Sequence, residues 1–194
     1  MTDFWLYFNI GLHHVLDIHA YDHVMFLMAL TVPYTFKDWK NILLLVTLFT
    51  IGHTTALVLS VYGVLTINST YVEFLIPITI LATALYNLFS AKKSAGAGNV
   101  NFIALTTLFF GIIHGLGFSN YFKIVINKHD SKLLPLLEFA LGIEGAQLTV
   151  VFTVLVLSFV LQRFGKLNRR DWVMVTSAFV AGVVVPMIIE SEIW

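Results

Sequence analysis

A short stretch near the N-terminus joins ionisable side chains to an apolar segment. The sequence DIHAYDHVMFLMALTV, residues 17–32, begins with Asp17, His19, Asp22 and His23 and continues as a typical membrane helix. Ionisable side chains are costly in hydrocarbon and usually serve a function there. If this segment is helical, His19, Asp22 and His23 share one face, because they have the spacing i, i+3 and i+4. Imidazoles and a carboxylate on one face predict ligands for a divalent transition metal ion.

Other polar residues occur within later apolar segments. His53 and His114 each lie near the middle of a long apolar run, and Glu144 lies well inside another. Glu73 is at the start of a further run, and Gln147 follows Glu144 by about one helical turn. We expect these side chains to reach similar depths between one membrane interface and the midplane. Several helices would then contribute ligands to one intramembrane site.

The sequence therefore predicts a metal site and assigns no catalytic residue. The chain has no cysteine, so the ligands must be nitrogen and oxygen atoms. The predicted ligands are His19, Asp22, His23, His53, Glu73, His114 and Glu144. The predicted supporting residues are Asp17, Thr54 and Gln147. Other polar residues are interpreted as interfacial, structural or loop residues, namely His13, His14, Glu138 and His129.

The composition requires membrane helices to position these residues. Of the 194 residues, 58% are hydrophobic and 11% are charged, whereas soluble domains carry about 25% charged residues. Such a chain cannot hide its apolar surface in one core, so we expect its main partner to be a lipid bilayer. Six apolar segments approach the ~20 residues that cross a bilayer. The predicted spans are 18–35, 42–66, 71–90, 102–126, 135–162 and 172–189.

These spans predict an all-α integral membrane bundle of about six helices. No loop is long enough for a separate domain, so residues 1–194 form a single transmembrane domain. The apolar stretch DFWLYFNIGLHH before the first span predicts an interfacial or re-entrant helix. The formal net charge is zero, which gives no general attraction to nucleic acid. The sequence leaves open whether copies associate as a homo-oligomer.

Lysine and arginine are unevenly distributed between the two sides of the predicted bundle. Since such residues concentrate in cytoplasmic loops, the bias places both termini outside the cytoplasm of a bacterial inner membrane. The side with few of them holds Lys123, Lys128 and Lys132. The side rich in them holds Lys37, Lys40, Lys92, Lys93, Arg163, Lys166, Arg169 and Arg170.

Five blocks of the chain resemble the successive signature blocks of HupE/UreJ membrane proteins, which are described as nickel or cobalt permeases. The blocks are DIHAYDHVMFLMAL, FTIGHTTALVLS, VEFLIPI, GIIHGLGFS and FALGIEGAQL. The resemblance implies that Asp22 and His23 match the Asp-His pair of the family. Nickel permeases carry a histidine four or five residues before that pair. His19 is closer to the pair, so Asp17 or His14 could take that place. The resemblance also implies family polar positions at His53, Glu73, His114, Glu144 and Gln147.

The leading functional prediction is transport of a transition metal ion. Ni²⁺ is the preferred ion, with Co²⁺ or Zn²⁺ as alternatives. The main alternative is an intramembrane zinc-dependent hydrolase that uses the same cluster, with Glu144 or Glu73 as general base. A third reading is haem binding through His53 and His114 as axial ligands. The chain contains no HExxH motif.

Overall fold

The computed structural model describes residues 3–17, 21–91, 100–126 and 132–193. In these ranges the regular secondary structure is entirely helical, which confirms the predicted fold class. The predicted ligand His19 lies outside the described residues, as do the loop residues Lys92, Lys93, Lys128 and His129.

Five long helices account for five of the six predicted spans. Each of α3 to α7 is long and apolar enough to cross a membrane. Asparagine side chains cap two of them, since Asn68 accepts from the Thr70 amide at 3.0 Å and Asn168 accepts from the Asp171 amide at 2.9 Å. The helices are α1 (Asp3–Leu16), α2 (Asp22–Thr31), α3 (Trp39–Val61), α4 (Ser69–Ser90), α5 (Val100–Ile126), α6 (Leu133–Arg163) and α7 (Arg169–Ile189), with a 3-10 turn at Phe36–Asp38.

The first predicted span, residues 18–35, is not a single helix. Its helical part, α2, has only 10 residues and is preceded by the separate 14-residue helix α1. The chain leaves the helical conformation at Asp17. Tyr7 and Val15 of α1 are fully buried, so this helix packs within the bundle instead of lying along its surface.

Helices α1 and α2 together follow the length of α5 in the opposite direction. Four ring pairs mark this path: Tyr7 with Phe122, His14 with Phe118, His23 with His114, and Phe26 with Phe110, at centroid distances of 6.4, 3.9, 5.2 and 6.1 Å. The partner on α5 moves steadily toward the start of that helix. The two short helices therefore take the path of one broken span. Irregular backbone at such a break is tolerated where it is buried in protein or lines a cavity.

The end of α2 is held at the face of the bundle opposite the start of α1. The Asn87 side chain, near the end of α4, donates to the Ala29 carbonyl oxygen at 2.6 Å. The Arg169 guanidinium, at the start of α7, donates to the Pro33 carbonyl oxygen. The first bond satisfies a carbonyl in the last turn of α2, where helical partners are missing, and the second holds the chain just beyond that helix.

Glycines bring two pairs of helices into backbone contact. Between α3 and α5, a Cβ atom on Gly52 would collide with the Leu108 carbonyl, and one on Gly115 would collide with the His53 carbonyl. Small residues permit such close approach of membrane helices. Because Gly115 adjoins His114, this crossing places two histidines on neighbouring helices at the same level.

The second crossing, between α1 and α6, has the same pattern. A Cβ atom on Gly11 would collide with the Phe139 carbonyl, and one on Gly142 would collide with the Phe8 carbonyl. Contact with α6 thus holds the short helix α1 in place and presents His14 toward α2 and α3.

Candidate metal centre

Three histidines from three helices meet inside the bundle. The ligand atoms of His14 (α1), His23 (α2) and His53 (α3) all lie within 4.8 Å of one another. The ring centroids are 4.6 Å apart for His14 and His23, 5.5 Å for His14 and His53, and 5.7 Å for His23 and His53. Metal–nitrogen bonds are about 2.0–2.1 Å long. A small contraction would therefore let one ion bind all three rings, which we call the histidine group.

Each histidine of this region has at least one ring nitrogen without a hydrogen-bond partner within the described part of the chain. These nitrogens are buried, and His23 and His53 are 2% and 0% exposed. Leaving a buried polar atom unpaired costs about 1–3 kcal/mol. Each neutral ring has one nitrogen with a free lone pair, so the histidine group can offer one nitrogen ligand from each of its three rings. The unpaired atoms are Nε2 of His14, His23 and His114 and both ring nitrogens of His53.

Asp22 contacts the ring of His23. Its Oδ1 lies 3.1 Å from His23 Nδ1 and accepts from the His23 backbone amide at 2.8 Å. A carboxylate on one imidazole nitrogen fixes the ring and leaves the other nitrogen as the ligand. The geometry thus gives Asp22 an orienting position and directs His23 Nε2 toward a bound ion.

His114 lies beside the histidine group with one nitrogen already paired. Its Nδ1 lies 2.8 Å from the Phe110 carbonyl oxygen, and its ring centroid is 5.2 Å from that of His23. Since a carbonyl can only accept, Nδ1 carries the proton and Nε2 has its lone pair free. His114 can therefore serve as a fourth ligand, or receive an ion from His23.

An open cavity of about 1100 Å³ leads to the site between α1, α4 and α5. Along α5 its lining extends from Tyr121, near the end of that helix, down to His114. The polar residues in its wall include His14, Asp17, Asp22, His23, Glu73 and His114. Glu73 is exposed, so its carboxylate can attract a hydrated cation before the ion reaches the histidines.

Glu144 and Gln147 are at a different place. Glu144 Oε1 accepts from Thr47 Oγ1 at 2.6 Å, and Gln147 Oε1 accepts from Thr50 Oγ1 at 2.9 Å. Neither residue lines the cavity among the described residues. The hydroxyl of Thr54 is buried and has no hydrogen-bond partner within the described residues. The structure thus gathers His23, His53, His114 and Asp22 and leaves Glu144 at the α3–α6 contact.

His14 is the member of the group that the sequence interpretation placed at the interface. The one signal for it was that His14, further upstream than the family histidine, could take the place of that histidine. Spacing along one helix could not identify it, because the break between α1 and α2 sets the distance. The His14 and His23 rings meet across that break at 4.6 Å.

Comparison with known proteins identifies a family. A family model described as HupE / UreJ protein matches residues 1–191, nearly the whole chain. No curated protein and no solved structure gave a significant match. The family match and the apolar helices agree on an integral membrane protein. The chain therefore belongs to the HupE/UreJ family.

Proposed function

We propose that the protein carries a divalent transition metal ion across the membrane, with Ni²⁺ as the preferred ion and Co²⁺ as the alternative. One observation carries the proposal: buried histidine nitrogens from three helices converge without partners beside an open cavity. Imidazole is a good ligand for nickel, cobalt, copper and zinc. The nickel and cobalt preference rests on the resemblance to HupE/UreJ permeases.

In the proposed route, the ion enters the cavity and meets Asp17 and Glu73 first. It then exchanges water for His23 and the other rings of the histidine group. Asp22 holds the His23 ring and supplies a negative charge that partly offsets the charge of the ion. Transport needs binding that is strong enough for entry and weak enough for release. Neutral nitrogen ligands beside an open cavity suit that requirement better than thiolates.

The proposed orientation follows from the basic residues. Lys37, Lys40 and Arg169 lie at the face where α2 ends, and Arg169 bonds the Pro33 carbonyl there. The cavity reaches the opposite face. With basic residues on the cytoplasmic side, both termini and the cavity mouth are outside a bacterial inner membrane.

Metal binding to the purified full-length protein, paired with uptake into proteoliposomes, tests the proposal. The parent should bind one Ni²⁺ and accumulate it. His23→Ala should abolish uptake. His13→Ala is the matched control, because His13 is on the same cavity wall but outside the histidine group, and it should keep the parent affinity. Equal loss in both variants, or uptake that survives His23→Ala, would refute the assignment.

A zinc-dependent hydrolase is the second candidate. Three histidine ligands with one open position are a common catalytic zinc arrangement, and Glu73 in the cavity wall is a carboxylate that could activate water. A catalytic zinc would stay bound through dialysis at one equivalent per chain. A transported ion would exchange with free metal. Metal analysis before and after dialysis distinguishes the two functions.

A further inference from the structure

A second polar cluster lies where α3 packs against α6. Thr47 Oγ1 donates to Glu144 Oε1 at 2.6 Å, and Thr50 Oγ1 lies 2.9 Å from Gln147 Oε1. Thr47 and Thr50 on α3 are three residues apart, as are Glu144 and Gln147 on α6. Each pair therefore lies on one face of its helix, about one turn apart. The four side chains therefore oppose one another as two stacked pairs. We call Thr47, Thr50, Glu144 and Gln147 the oxygen cluster.

Gln147, a member of the oxygen cluster, has one unsatisfied polar atom. The residue is 0% exposed, and its Nε2 has no partner within the described residues. Thr50 Oγ1 also lies 3.2 Å from the Val46 carbonyl oxygen. A half-turn of the amide lets Gln147 donate to Thr50 while the Thr50 proton goes to Val46. The amide oxygen then takes the unpartnered position, where it needs a donor or a cation.

We propose that the oxygen cluster binds one alkali cation, Na⁺. It offers two hydroxyls, an amide oxygen and a carboxylate, and hard cations prefer oxygen ligands. The single carboxylate of Glu144 neutralises one positive charge, which matches a monovalent ion. No imidazole belongs to the cluster, and no member lines the metal cavity in the described chain. The site therefore shares no residue with the histidine group.

The position of the oxygen cluster links it to the metal centre. Thr50 is one helical turn from His53 on α3. The opposing helix, α6, holds α1 through Gly11 and Gly142 and so positions His14. A cation that joins α3 to α6 thus fixes the separation of His14 and His53. Na⁺ binding should raise metal affinity, and metal binding should raise Na⁺ affinity by the same factor. This coupling rests on the proposed function, whereas the cation site itself does not.

Thermal unfolding of the full chain in detergent, without transition metal, tests the site directly. NaCl is exchanged for choline chloride at constant pH and ionic strength. The unfolding temperature of the parent should rise with Na⁺ and saturate, because a ligand of the folded state stabilises it. Glu144→Gln should abolish the rise and Thr50→Val should weaken it. Glu138→Gln, which removes another buried carboxylate of α6, should keep it.

Three results would overturn the site. The first is a parent that does not respond to Na⁺, and the second is an undiminished response in Glu144→Gln. The third is stabilisation by low pH alone, which would make Glu144 a proton site. If Glu144→Gln does not fold, an undiminished response to Na⁺ in Thr50→Val would overturn the site instead.

Nickel titration with and without Na⁺ tests the coupling. Na⁺ should tighten nickel binding by about fivefold or more in the parent, within the usual range of coupling between sites. It should have no such effect in Glu144→Gln. A parent that responds to Na⁺ but never binds nickel would refute the proposed function and keep the cation site. A parent that binds nickel but does not respond to Na⁺ would refute the cation site and keep the proposed function.

Discussion

The two glycine crossings, α3–α5 and α1–α6, both place a glycine against a backbone carbonyl of the neighbouring helix. The helices that they join differ greatly in length. In the α3–α5 crossing, both helices are long enough to cross a membrane, and each carries a buried histidine. In the α1–α6 crossing, one partner is the 14-residue α1, whose other side faces the cavity. Membrane helices associate mainly by close packing. The first crossing is therefore scaffold for the whole bundle, whereas the second secures one short helix and one ligand, His14.

Gly115→Ala should have the largest effect, because its added methyl meets the His53 backbone within the scaffold crossing. Overpacking typically costs about 1–3 kcal/mol, and here two long helices must separate. We expect poor expression and a clearly lower unfolding temperature. Gly182→Ala is the control, since nothing lies within 4 Å of the new methyl, and it should behave as the parent. Equal stability of the two variants would show that the α3–α5 crossing does not act as a scaffold.

Gly11→Ala should distinguish the role of the α1–α6 crossing from that of the α3–α5 crossing. Its methyl meets the Phe139 backbone, so α1 must move away from α6 and take His14 with it. We expect the five long helices to remain folded while nickel affinity falls well over tenfold, a loss of more than about 1.4 kcal/mol. Calorimetric titration together with circular dichroism measures both. Global unfolding as severe as in Gly115→Ala would show that the crossings are equivalent.

His53→Leu should lower metal affinity and raise the stability of the metal-free protein. Both ring nitrogens of His53 are buried without partners in the described structure, and removing such groups can stabilise a fold. Nickel affinity should fall well over tenfold, by more than about 1.4 kcal/mol. Thermal unfolding with chelator and titration with nickel give the two values. A destabilised metal-free variant would mean that His53 has a structural partner.

Asp22→Asn should have a smaller effect, because Asp22 acts through the His23 ring. Changes to such supporting residues usually cost about 10–100-fold in metal affinity. We expect nickel affinity to fall within that range and the fold to be unchanged. Nickel titration gives the affinity, and unchanged affinity would contradict the orienting role.

A change of pH should have the smallest and most gradual effect. Protonated imidazole cannot bind a metal, so nickel affinity should fall as pH decreases far enough to protonate the rings. It should level off at higher pH, where the rings are neutral. Titration at several pH values in one buffer ionic strength measures the profile. Affinity that is independent of pH would argue against histidine ligands.

Much of the fold could be predicted from the sequence, because a long apolar run is sufficient to indicate a membrane-spanning helix. α4 ends at Ser90, where the predicted span 71–90 ends. The broken first span could not be predicted from apolarity, since residues 18–35 are as long as an unbroken helix. The predicted helical face of His19, Asp22 and His23 assumed one continuous helix, and His19 lies outside the described residues.

The sequence predicted that several histidines would lie close together, but it did not identify every histidine that does. His23, His53 and His114 lie together because the α3–α5 crossing and α2 bring them to one level. Glu144 is at the α3–α6 contact, since counting residues gives depth along a helix but not its rotation. His14 joins the group only through the α1–α6 crossing, a contact between distant parts of the chain.

X-ray absorption of protein loaded with one equivalent of Ni²⁺ tests the central claim most directly. That claim is that His14, His23 and His53 bind one ion together. The spectrum of the parent should show at least three imidazole nitrogens at about 2.1 Å, and that of His14→Ala should show one imidazole fewer. A parent spectrum without imidazole scattering, or the same imidazole count in His14→Ala, would contradict it.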